Sequence, residues 1–99
     1  MKPLFKGCGT AIITPFTADT KKIDFDSLER LLEFQLSDGV DAIIVLGTTG
    51  EAAVLTNEEK TEIIKFTVST VGKRVPVIVG TGSNCTEVTI ANSVSAERL

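Results

Sequence analysis

The run Ala42 to Leu46 is apolar at every position, without the alternation expected of a strand that faces water on one side. Such a segment needs cover on both faces, which points to a parallel sheet flanked by helices. The flanking sequence supplies them. From Phe25 to Ser37 the residues Phe25, Leu28, Leu31, Leu32 and Leu36 fall three or four apart, while Asp26, Glu29, Arg30 and Glu33 lie mostly off that stripe. This spacing predicts an amphipathic helix that ends near Gly39. After the apolar run, Thr56 and Glu59 form a capping box, and the pattern predicts a second helix from Asn57 to about Val71.

Cys8 to Thr14 reads as an earlier strand stopped by Pro15, which has no N–H for a ladder, with polar loop from there to Asp24. Val77 to Val79 reads as a third buried strand leading into Gly80-Thr-Gly-Ser-Asn84. Asn84 and Glu87 repeat the capping pattern, and Val88, Ala91 and Val94, with Ile90 beside them and Leu99 beyond, mark the inner face of a third helix. The order is βαβαβα. Gly47-Thr48 and Gly80-Thr81 sit at equivalent strand ends one unit apart, which suits a (β/α) barrel, although a doubly wound sheet gives the same order.

With 42% hydrophobic residues the chain can build a core, and at 99 residues it forms at most one domain. The net charge of −3 is spread without a basic block, so nucleic acid and anionic membrane surfaces are not expected partners. The longest apolar run is far short of the ~20 residues of a membrane span, and the N-terminus has no secretory segment, so the expected location is the cytoplasm. With no histidine, and with Cys8 and Cys85 far apart, no metal-ligand set is present; both cysteines read as buried thiols in a reducing compartment.

The chemistry concentrates where the second strand ends. Gly47-Thr48-Thr49-Gly50 places two hydroxyls and several backbone N–H groups where the chain leaves the sheet. Glycine permits close approach and threonine supplies donors, so the turn can cradle a carboxylate or phosphate. The same residues can equally be a turn whose threonines cap backbone groups. Glu51 can orient a ligand, but a buried glutamate bonded to loop amides accounts for it better. Thr14 closes the first strand on the same side, where its hydroxyl can support the pocket or merely mark the strand end. Gly80-Thr-Gly-Ser-Asn84 resembles a phosphate-binding turn weakly and lacks the dinucleotide fingerprint. No lysine falls in a predicted strand, and none makes a good desolvated imine-forming amine.

Three segments together carry a resemblance. Gly9-Thr-Ala-Ile-Ile-Thr-Pro-Phe16, Gly47-Thr-Thr-Gly-Glu51 and Val75-Pro-Val-Ile-Val-Gly-Thr-Gly-Ser-Asn84 look like the first three strands of the pyruvate-dependent class I aldolases and lyases typified by dihydrodipicolinate synthase, in order and spacing. Sugar-acid aldolases and sialic acid lyases share the middle motif, whereas the threonine pair and the Gly-Thr-Gly-Ser-Asn loop favour the synthase. The resemblance implies a TIM (β/α)8 barrel of which residues 1–99 are the N-terminal portion, ending in or just after the third helix; a full barrel takes ~250 residues. It implies no cofactor. A barrel lysine forms a Schiff base with pyruvate, and the resulting enamine attacks aspartate semialdehyde on the route to lysine.

By motif position Thr49 binds the pyruvate carboxylate through its hydroxyl and N–H, Thr48 and Gly50 complete that cradle, and Thr48 is also the middle member of a Tyr-Thr-Tyr proton relay. The chain has no tyrosine, and the family's nucleophilic lysine lies on a later strand. The 99 residues alone are therefore expected to be inactive. The family's allosteric lysine site also maps here in part. Asn84 matches a ligand and Ala52 and Ala53 line the segment, but Asn57 and Lys60 stand where some feedback-sensitive members carry histidine. Val88 replaces a glutamate, so strong lysine inhibition is not expected.

Three parallel strands carry two open edges and a bare face. A homo-oligomer is expected for the intact protein, and for these residues cover by another copy, by the rest of the barrel, or by rearranged strands. The competing class is a non-catalytic α/β module that binds anions or assembles through its edges.

Overall fold

The computed structural model describes residues 2–99 as a three-stranded parallel sheet with helices packed on one face. Strand β1 (Gly9–Ala11) pairs with β2 (Ala42–Val45), which pairs with β3 (Val77–Val79), so strand order follows chain order. Helix α1 (Phe25–Ser37) joins the first pair, α2 (Asn57–Val71) the second, and α3 (Thr86–Glu97) follows β3. No helix of the described residues is long and apolar enough to cross a membrane.

Register assigns the two faces. Ile43 stands opposite Thr10 and Val77, and Ile44 opposite Ala11 and Ile78. Successive side chains point to opposite faces, so Ile43 and Val45 turn toward the helices and are fully buried there with Ile12, Leu28, Leu32, Ile63 and Val71. Ala11, Ile44 and Ile78 share the other face. Ile13 continues it at 50% exposure. The strands are therefore apolar on both sides while these helices cover only one, and no strand among the described residues pairs with the outer edges of β1 and β3. The strands are not rearranged.

Placement of α3 decides between the two architectures left open by periodicity. In a doubly wound sheet of this starting order, the chain crosses to the opposite face after the third strand. Here Ala96 and Leu99 pack against the same core as α1 and α2, and Ala91, Asn92 and Ser95 face Thr61 and Ile64 of α2 across a groove. All three helices lie on one side. That is the arrangement of the first three units of a (β/α)8 barrel.

The first two helices match their predicted bounds because local chemistry sets them. At α1, Asp24 accepts from the Ser27 N–H at 3.0 Å and from its hydroxyl at 2.8 Å. The bond from the Ser27 backbone, then that from its hydroxyl, holds the Asp24 carboxyl below its ordinary value of 3.8. A depressed carboxylate stabilises the fold fully above its unfolded pKa and loses that effect as pH falls through the folded one. Thermal unfolding should thus lose stability below about pH 4 in wild type, and Asp24→Asn, which keeps an acceptor, should flatten that part of the profile. At α2, Thr56 Oγ1 accepts from Glu59 N–H at 3.1 Å while the Glu59 carboxylate accepts from Thr56 N–H at 2.8 Å, the predicted capping box. Phe25 and Phe66 meet as tilted rings with centroids 5.0 Å apart between the two helices, and the Arg74 guanidinium grips Glu33 at 3.0 and 2.7 Å beyond the end of α2.

Thr67, on the buried side of α2, is fully enclosed, and its Oγ1 finds no partner among the described residues. An enclosed hydroxyl without a partner costs ~1–3 kcal/mol. Thr67→Val should raise the midpoint of urea unfolding, by about 1 kcal/mol of stability; a lower midpoint would show that the hydroxyl is satisfied in solution.

Elsewhere the structure corrects the sequence. The first strand is Gly9–Ala11 rather than Cys8 to Thr14, because Asp41 takes the Cys8 N–H at 2.8 Å and β2 turns away at Leu46, leaving Ile13 and Thr14 without a ladder partner. Leu46 leaves β2 with φ of 60°. The loop before α1 carries a small antiparallel contact, Phe16 with Ile23, closed by Thr17 N–H to Lys22 O. Cys8 and Cys85 are exposed free thiols, not buried ones. Cys8 borders the sheet's N-terminal end, and Cys85, rather than Asn84, is the N-cap of α3, with no side-chain cap bond.

Of the predicted inner face of α3, Leu99 packs on the core and Ala91 borders the groove against α2, but its β-branched residues point outward. Val88, Ile90 and Val94 are 46%, 59% and 42% exposed, and Thr89, Asn92 and Ala96 turn inward instead. Polar anchors set that rotation: Thr89 Oγ1 accepts from Ser83 N–H at 3.0 Å, Asn92 donates to Thr81 O at 3.3 Å, and the Ser93 hydroxyl donates to Thr81 Oγ1 at 2.9 Å.

Candidate functional site

Three strand ends converge on the Gly47–Glu51 turn. From the β2 side, Leu46 at φ 60° swings the chain out of the sheet, and Thr48–Gly50 form a single 3-10 turn. Gly50 N–H donates to Gly47 O and Glu51 N–H to Thr48 O, both at 3.0 Å. Those bonds use none of the N–H groups of Thr48 and Thr49, as expected at the start of a helical turn. Both threonines are exposed.

From the β1 side, the buried Thr14 hydroxyl donates to Gly50 O at 2.6 Å. Gly50 is buried here, and a Cβ on it would stand 3.2 Å from Ile12 O, so the absence of a side chain lets β1 close on the turn. From the β3 side, Gly80 N–H donates to Val45 O at 2.8 Å, and Gly80 lies so close to Leu46 that a Cβ would fall 2.3 Å from its carbonyl oxygen. Glycine is required there by contact, not by φ.

Glu51 is not the buried, amide-bonded residue expected. It is exposed in the left-handed region, with φ 56° and ψ 38°, between the Thr48–Gly50 turn and a second 3-10 turn, Ala52–Val54. Its side chain borders open space instead of the loop's amides. With Thr48 it borders an open cavity of about 790 Å³ that also gathers Ala52, Ala53, Lys60, Asn84 and Val88. The positions matched to the family's effector site thus converge, except Asn57, which with Lys60 lines a neighbouring groove of about 250 Å³ between α2 and α3. Thr49 does not line that cavity. Lys60 is half-buried and every other lysine is exposed, so none here is the enclosed amine that imine chemistry calls for.

Sequence reasoning missed the closing role of Gly80 and the left-handed pair Leu46 and Glu51. A glycine directly after a β-branched run was the available signal for the first. No sequence signal marks a leucine or glutamate for positive φ.

The sequence model of the Dihydrodipicolinate synthetase family matches residues 4–99. The chain belongs to that family. It is 54% identical over 96 residues to the 4-hydroxy-tetrahydrodipicolinate synthase of Clostridium novyi, an alignment covering 97% of this chain and 32% of that protein. Among solved structures, dihydrodipicolinate synthase from Thermotoga maritima superposes with a TM-score of 0.93 at 44% identity, covering 97% of this chain and 32% of that one. The chloride-inhibited enzyme from Acinetobacter baumannii complexed with pyruvate superposes at 0.89 with 40% identity, covering 93% and 31%. The chain thus spans about a third of the length of the dihydrodipicolinate synthetase family members it matches, and it superposes on them as one continuous barrel segment.

Proposed function

We propose that residues 1–99 form the N-terminal portion of a single (β/α)8 barrel domain whose activity is that of a 4-hydroxy-tetrahydrodipicolinate synthase. The observation that carries this is the 54% identity to the Clostridium novyi synthase across 97% of this chain. The family member solved with pyruvate supports the choice of substrate for the turn.

In this reading the amine of a lysine outside residues 1–99 condenses with the keto carbon of pyruvate, forming an imine and releasing the keto oxygen as water. Loss of a methyl proton gives the enamine, whose carbon attacks the aldehyde of aspartate semialdehyde. The Thr49 hydroxyl and N–H hold the pyruvate carboxylate, Gly50 keeps the approach open, and the Thr48 hydroxyl passes protons between phenols supplied from elsewhere in the barrel, since this stretch has no tyrosine. The unused N–H groups of the turn and the exposure of both threonines fit those roles. The 99 residues alone supply a cradle without a nucleophile and are inactive. Their open edges and bare sheet face favour self-association of the isolated segment, and the full protein works in the cytoplasm as a homo-oligomer.

Assay of the full-length protein with pyruvate and aspartate semialdehyde tests the reaction. Pyruvate should disappear in step with the semialdehyde. Turnover with sugar aldehydes in its place, and none with the semialdehyde, would transfer the protein to another reaction of the same imine chemistry.

A further inference from the structure

Two residues with side chains, Leu46 at φ 60° and Glu51 at φ 56°, bracket the Gly47–Gly50 turn in the left-handed region. Such residues relax to ordinary backbone unless their surroundings hold them. The turn's internal bonds span only three residues each and fix its shape without fixing its position. Among the described residues, one side chain reaches its backbone from elsewhere: Thr14, 4% exposed, whose hydroxyl donates to Gly50 O at 2.6 Å across thirty-six positions of sequence.

We infer that Thr14 is a positioning residue for the carboxylate cradle, an assignment that rests on the proposed reading of the turn. The peptide that joins Gly50 to Glu51 is held at both ends, its carbonyl by Thr14 and its N–H by Thr48 O at 3.0 Å. One peptide, Thr49–Gly50, separates it from Thr49, and that one is held in turn by its own N–H on Gly47 O at 3.0 Å. Fixing these planes fixes where the Thr49 N–H and hydroxyl stand relative to the end of β1. The Thr14 proton is committed to Gly50 O, so Thr14 orients the cradle without carrying a proton for the reaction. Without that bond the enclosed Gly50 carbonyl must turn toward another donor, and the cradle turns with it.

Thr14→Val keeps the shape and removes the donor, while Thr14→Ser keeps the donor and removes the methyl. In the full-length protein, Thr14→Val should raise KM for pyruvate about tenfold, as for one lost hydrogen bond, with kcat changed less than about threefold, and Thr14→Ser should restore KM. Thr14→Ala gives the same comparison if the valine variant does not fold. An unchanged KM in the donorless variant, even with lower thermal stability, would reduce Thr14 to a strand-end residue and overturn the assignment, as would a folded serine variant that fails to restore KM. Failure of the underlying reading is separate and removes the assignment with it: wild-type protein would then form no borohydride-trapped pyruvate adduct.

Discussion

Gly80→Ala should cost the protein at least ~3 kcal/mol of stability, enough to leave much of it unfolded or aggregated at growth temperature. The added Cβ would lie 2.3 Å from Leu46 O, 2.8 Å from Leu46 C and 3.1 Å from Gly47 N. Every one of those atoms is backbone, so no rotamer change can make room. Relief requires β2 and β3 to part, which breaks the 2.8 Å bond from Gly80 N–H to Val45 O, or Leu46 to leave its left-handed conformation, which displaces the start of the cradle. Gly82 supplies the control. A Cβ there meets nothing within 4 Å, and Gly82→Ala should fall within ~0.5 kcal/mol of wild type. Urea unfolding of the full-length variants reads both, and a Gly80→Ala protein as stable as Gly82→Ala would contradict the close packing of β3 on the turn.

Thr48→Val should lower kcat by ~10²- to 10³-fold, the range for loss of a group that relays protons in the transition state, while KM for pyruvate changes little. Thr48 is exposed on a turn whose bonds are made by Gly50 and Glu51, so exchanging its hydroxyl for a methyl leaves the backbone intact. Thr49→Val should do the reverse and act mainly on KM, because in the proposed reading its hydroxyl holds the carboxylate in ground and transition state alike. Steady-state kinetics with unfolding curves for both variants separate the roles. A Thr48→Val enzyme with kcat within a factor of three of wild type would remove Thr48 from the proton path.

How far the chain could be read in advance followed the range of the interactions involved. Helices α1 and α2 were legible because amphipathic spacing and, at α2, the Thr56–Glu59 capping box act within a few positions, while the Asp24 cap of α1 emerged only in the structure. The ends of β1 and β2 were not, because they depend on Asp41 capturing Cys8 and on Leu46 turning out of the sheet. Helix α3 misled the pattern for three of its predicted inner residues. Its apolar residues suggested an inward face, but bonds from Thr89, Asn92 and Ser93 to the loop after β3 rotate Val88, Ile90 and Val94 outward. Only its packing beside α2 distinguishes barrel from doubly wound sheet, a tertiary fact that periodicity does not hold.

The candidate site divides in the same way. A Gly-Thr-Thr-Gly turn after a buried strand announces donors at a strand end, and the structure leaves the Thr48 and Thr49 N–H groups unused by the turn itself. The clamp from Thr14 and the closure by Gly80 join residues more than thirty positions apart and become visible only once β1 and β3 flank β2.

Borohydride reduction in the presence of pyruvate, followed by intact-mass measurement and peptide mapping, tests the imine mechanism most directly. The full-length protein should gain one stable three-carbon adduct, mapped to a lysine outside residues 1–99, and the 99-residue segment should gain none. A full-length protein whose mass is unchanged, or an adduct on one of the seven lysines of this segment, would contradict it.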